Sequence, residues 1–177
     1  MLRKDWCRMS HYASINIVPA RVDVLFDVLR DMGCRFERKE NGIRIRFAWG
    51  PDWFYDNNGE LYYYADGPAG SVFREYTYRV ALEEMKNKGY SLVSQQERNG
   101  RRIWTFADLS GTGTVTVTVL PSSKVKVEVS GIPGEGCLSV TKDLESALGV
   151  VQERELTADY HRPADPVRVF YGSSWCG

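Results

Sequence analysis

No H-E-x-x-H pair, no G-x-S-x-G elbow and no phosphate-binding loop occurs in this sequence. That removes the catalytic motifs that a short stretch can announce by itself. The stretch GTGTVTVTV, residues 111–119, imitates a glycine-rich loop, but it leads into a strand pattern rather than a helix. The two histidines, His11 and His161, and the four cysteines, Cys7, Cys34, Cys137 and Cys176, are widely separated and form no C-x-x-C pair. Structural zinc and cysteine-ligated iron–sulfur clusters need ligands at short spacing, so no metal and no cofactor is expected. No apolar run approaches the roughly 20 residues of a membrane-spanning helix. The opening MLRKDWCRMS has basic residues without an apolar stretch, so no secretory signal is read there. Reduced thiols in a cytoplasmic setting are therefore expected. A net charge is missing as well, because 23 lysines and arginines balance 23 aspartates and glutamates. Nothing in that balance recruits nucleic acid or an anionic membrane.

What is present reads as a folded α+β protein. A hydrophobic content of 43% with 26% charged residues is enough for a core without staples. SHYASINIV, residues 10–18, alternates, with Ala13, Ile15 and Ile17 on one face, and predicts a half-buried strand. Pro19 suits a first helical position, followed by Val22, Leu25, Leu29 and Met32 at helical spacing and a stop at Gly33. Asn41-Gly42, Asn58-Gly59 and Asn99-Gly100 mark hairpins, because both residue types accept positive φ. A second helix is predicted within SVFREYTYRVALEEMKNKG, residues 71–89, and the pair YSLVSQQ and RRIWTFA follows. The expected architecture is one antiparallel sheet with helices on one face, ferredoxin-like or similar.

A boundary is expected near ADLSGTG, residues 107–113. Beyond it, TVTVTVL and KVKVEVS form the clearest strand pair, and a helix runs from about Cys137 to Leu148 with Gly149 as its stop. VVQEREL and VRVFYG are candidate strands. The expected division is an extension at 1–8, an α+β domain at 9–107, a small ββα domain at 108–161 and a tail at 162–177. Strand, strand, helix, strand and a glycine-ended tail is also the order of a β-grasp fold. Cys176-Gly177 is accordingly a candidate conjugation or sulfur-carrier tail, with simple fraying as the alternative.

Three groups of residues are candidates for function. Cys137 follows a glycine-rich turn at the start of a helix, where a thiolate is stabilised. Gly134, Thr141 and Lys142 surround it. The same cysteine stands in register with Val140 and Leu144, which argues for packing instead. His11 is a candidate ligand or partner contact at a sheet edge, or a residue bonded to a neighbouring carbonyl. The run WGPDWFYDNNGELYYY, with Trp53, Tyr55 and Tyr63, is a protein-binding face or plain packing. Its acidic residues Asp52, Asp56, Glu60 and Asp66 oppose a nucleic-acid role.

Two stretches carry a family resemblance. MSHYASINIV together with REYTYRVALEEMKNKGYSLVSQQERNG resembles the domain of unknown function 1257 family, which includes a conserved chloroplast open reading frame and its cyanobacterial counterparts. That likeness covers roughly residues 9 to 106 and implies that the first eight residues are an extension or come from an upstream start codon. Residues 113 to 161 resemble the domain of unknown function 2997 family. The matching pattern is Val129, Gly131, Gly134, Cys137, Leu138, Thr141, Lys142, Leu144, Glu145, Ala147, Leu148, Gly149 and Tyr160. The resemblance implies two families encoded side by side, near a small ferredoxin or an AAA+ ATPase, and here fused. The function expected from it is a non-enzymatic adaptor that binds protein partners in an ATPase- or ferredoxin-linked assembly. The alternatives are a ubiquitin-like or sulfur-carrier protein acting through Gly177, and a thiol-dependent redox or transferase activity through Cys137.

Overall fold

The first strand pattern does form a strand, and two others flank it. A computed structural model describes residues 9–122, 124–156 and 160–161, with the main chain only at 9–12. In chain order the elements are β1 (Met9–Ile17), α1 (Val22–Asp31), β2 (Arg35–Lys39), β3 (Gly42–Arg46), β4 (Trp53–Asp56), β5 (Leu61–Tyr62) and α2 (Ala69–Asn87). These are followed by β6 (Ser91–Arg98), β7 (Arg101–Ala107), β8 (Thr114–Val119), β9 (Lys124–Ser130), α3 (Gly136–Leu148) and β10 (Gly149–Leu156). The class is α+β with antiparallel sheets, as the patterns predict.

The strands are divided between two sheets. Six lie in the order β10-β1-β9-β8-β7-β6, and four form a separate sheet in the order β2-β3-β4-β5. The expectation of one sheet is corrected here. The small sheet packs on the helices through aromatic rings, with Phe26 of α1 against Phe36 and Tyr55, and Trp53 against Phe73 of α2. In the large sheet, Ala13, Ile15, Val115, Val117, Val125, Val127 and Val129 are buried on the helix-covered face. Threonines and lysines alternate with them on the other face, so period-two patterning produces one dry side and one polar side.

The strands on either side of residue 107 share this sheet. β7 and β8 pair from Ala107 opposite Thr114 to Arg102 opposite Val119. β1 pairs antiparallel with both β9 and β10. β9 and β10 therefore run parallel with β1 between them, and α3 makes the crossover. This is a split βαβ unit completed by the first strand of the chain. It also places His11 opposite Val129 and Leu156, inside the sheet rather than at the expected edge.

Pro19 precedes α1 instead of opening it, because residues 18–21 are bonded elsewhere. Val18 N–H donates to Leu148 O at 2.9 Å, and Arg21 N–H donates to the Tyr76 hydroxyl at 3.1 Å. That hydroxyl in turn donates to Ala147 O at 2.6 Å. One buried phenol thus ties α2, the start of α1 and the end of α3 together. Burial pushes the Tyr76 phenol up to about 12. The folded state then holds this proton more tightly than the unfolded chain does. The associated stability is complete below pH 10 and lost as the pH rises from 10 towards 12, an effect of about 2–3 kcal/mol. Tyr76→Phe is expected to cost about 1–2 kcal/mol at neutral pH, because it removes the partner of the Arg21 N–H and one of two donors to the Ala147 carbonyl. Urea melts across the alkaline range should show a shallower decline in that variant than in the wild type.

Candidate functional site

Helix α3 is entered through a loop that only glycine builds easily, with positive φ at Gly131 (74°) and Gly134 (68°). Its inward stripe is Cys137, Thr141, Leu144 and Leu148, all buried. Cys137 is fully enclosed, and burial pushes its thiol pKa up, outweighing the lowering by the main-chain groups of the first helical turn. Of the two readings of this cysteine, that enclosure favours packing over an activated thiolate. Gly134 is half-buried, while Lys142 is exposed.

Beside α3 runs β10, and between them lies a groove of about 560 Å³. Its floor is polar and fully partnered. Glu145 is only 4% exposed. It accepts a hydrogen bond from the Thr141 hydroxyl at 2.7 Å and another from the Arg154 guanidinium. A buried carboxylate is tolerated only with such partners. The helix spacing of Thr141 and Glu145, four residues apart, puts both on one face.

Arg154 reaches this carboxylate because β10 is bulged. Ser14 pairs with Glu153 and Ile15 with Val151, so Gln152 is an extra residue without an opposite. Strict alternation would place Val151 and Arg154 on opposite faces of the strand. The bulge turns both towards the helices, which is the re-aiming that bulges perform. Lys142, Ser139, Ser146 and Tyr160 complete the wall.

The aromatic candidates lie apart from this groove, on the small sheet. Trp53 is buried against Phe47, Tyr63 and Phe73. Tyr55 is half-buried against Phe26. Tyr63 keeps an exposed edge while its ring packs on Phe73 at 4.9 Å. Trp49, Tyr62 and Tyr64 are the more exposed members of the run. The structure therefore does not gather the expected residues into one centre. Gly134, Cys137, Thr141 and Lys142 share α3 and its entry loop, and Trp53, Tyr55 and Tyr63 share the small sheet region. Cys176 and Gly177 lie outside the described residues. Among the described residues no three histidine, cysteine or acidic side chains converge as a metal site would require. None of the described helices is long and apolar enough to cross a membrane.

Residues 111–161 match the family described as a protein of unknown function, DUF2997. No curated protein matches the chain. The DUF2997 segment takes in β8, β9, α3 and β10 and ends one residue after Tyr160. Every residue of the α3–β10 groove lies within it. Glu145 and Arg154 are the functional candidates that sequence reasoning passed over. Glu145 stood in the family pattern with no role assigned. The only hint of Arg154 was a lone cation between Glu153 and Glu155, in a strand whose alternation breaks after Val151.

Proposed function

We propose that this protein is a non-enzymatic adaptor whose α3–β10 groove binds a protein partner. The observation that carries the reading is the pairing of Lys142 and Arg154 along one groove, over a carboxylate already satisfied by its neighbours. Such an arrangement offers hydrogen-bond donors for recognition. The resemblances of residues 9 to 106 to the 1257 family and of residues 113 to 161 to the 2997 family support partners drawn from an AAA+ ATPase- or ferredoxin-linked assembly. β1, near the start of the chain, completes the sheet of the DUF2997 segment, which supports the two parts of the chain working as one body.

The test is native affinity purification of the full chain with mass identification of what is retained. A specific partner should be recovered with the wild type and with Cys137→Ser, and lost with Lys142→Glu. Equal recovery of the same proteins by wild type and Lys142→Glu would sink the reading. Intact-mass measurement on the same samples reports any covalent adduct at Gly177.

A further inference from the structure

The walls of the α3–β10 groove say what kind of partner segment it fits, an inference that rests on the adaptor reading above. Three residues of β10 carry charge in a row, Glu153, Arg154 and Glu155. The bulge sorts them. Glu153 and Glu155 stand opposite positions 14 and 12 of β1, on the face of the sheet away from the helices. Arg154 stands opposite Ala13, whose side chain is fully buried on the helix side. The cation is delivered to the groove, and its two anionic neighbours are kept out.

The two carboxylates that do line the groove play unequal parts. Glu145 is held by the Thr141 hydroxyl and by Arg154. It therefore fixes the guanidinium in place, while the rest of that five-donor fork remains for a second acceptor. Glu135 lies at the other end, just before the first helical turn, where the helix dipole favours it. Lys142 projects two turns further along, and its neighbour Asp143 is taken by Lys88 at 2.7 Å. Lys142 itself is exposed and adds to the positive field that lowers the Asp143 carboxyl, Lys88 contributing most. Within the described residues β10 is the terminal strand of its sheet.

We propose that the groove takes an acidic peptide segment of a partner protein, with carboxylates of that segment seated on Lys142 and Arg154. The donors match carboxylate chemistry, and the volume of about 560 Å³ suits a few residues rather than a flat protein face. Nucleic-acid phosphates share the negative charge, so the test separates the two.

A fluorescein-labelled hexaglutamate peptide is titrated with the full chain and followed by anisotropy at low and high salt. A hexalysine peptide and a short single-stranded RNA are run in parallel. The expected result is saturable binding of hexaglutamate that weakens with salt and falls about tenfold in Lys142→Glu. The melting temperature of that variant should stay at the wild-type value, because Lys142 is exposed and outside the buried pair. Arg154→Lys keeps a positive charge beside Glu145 but loses the fork, and should also weaken the peptide. The proposal is overturned by absence of saturable hexaglutamate binding, by equal affinity in Lys142→Glu, or by tighter binding of hexalysine or RNA. Should a partner be captured in a Lys142-dependent way while hexaglutamate fails to bind, the acidic segment falls and the adaptor reading stands. Should Lys142→Glu capture the same proteins as the wild type, the adaptor reading falls first.

Discussion

Arg154→Ala is expected to lower the stability of the fold by about 2–4 kcal/mol, a large effect for a side chain that reaches the surface. The cost comes from what is left behind. The Glu145 side chain is 5% exposed, against 41% for Arg154. With the guanidinium gone, a desolvated carboxylate loses its charge-assisted hydrogen bond. Solvent reaches the arginine end and screens the pair, which holds the figure below that of a fully enclosed ion pair. The second half of the test removes the buried carboxylate. Adding Glu145→Leu to Arg154→Ala should recover a good part of the loss, because an apolar side chain needs no counter-ion there. Urea denaturation of the two single variants and the double variant closes the cycle. If Arg154→Ala costs no more than an ordinary surface substitution, the pair is not the pin between α3 and β10 that its geometry indicates.

Gly131→Ala should be at least as damaging, at about 3 kcal/mol or more, with failure to fold as the extreme. Gly131 has φ +74° between β9 and α3, and a Cβ there would lie 1.8 Å from the carbonyl oxygen of Thr112. That atom belongs to the main chain leading into β8, so it cannot swing aside as a side chain would. Gly33→Ala provides the comparison. Gly33 has nearly the same φ, +77°, but a Cβ added there, at the end of α1, would meet nothing within 4 Å. It should lose only the conformational part, about 1 kcal/mol. The difference between the two, measured by thermal or urea melts, isolates the steric contact that joins the α3 entry loop to the turn before β8.

Much of the fold is legible in the chain because its signals are local. The valines of β8 and β9 recur every second residue and all point to the core. Asn99-Gly100, both with positive φ, makes the hairpin between β6 and β7 that the dipeptide predicts. The helical register of Cys137 with Leu144 is likewise local, and it correctly places the thiol among packing residues rather than at a reactive surface. The groove was far less legible. Lys142 stands out as an exposed helix residue, yet nothing near it in sequence indicates that Arg154 faces the same space.

The sequence by itself determined which faces are apolar, where most turns fall and where α3 begins and ends. These follow from side-chain periodicity and from the few residues that tolerate positive φ. Only the tertiary structure decided which strands became neighbours, because alternation specifies a face and not a partner. The four strands between residues 35 and 62 left the main sheet to pack on α1 and α2. β1 entered it between β9 and β10, more than a hundred residues away in the chain. That placement sets the register in which Gln152 has no opposite, and the missing partner is what turns Arg154 towards Glu145. A residue's neighbours across a sheet are chosen by the packing of the whole chain, so the centre of this site could be written only once the fold had formed.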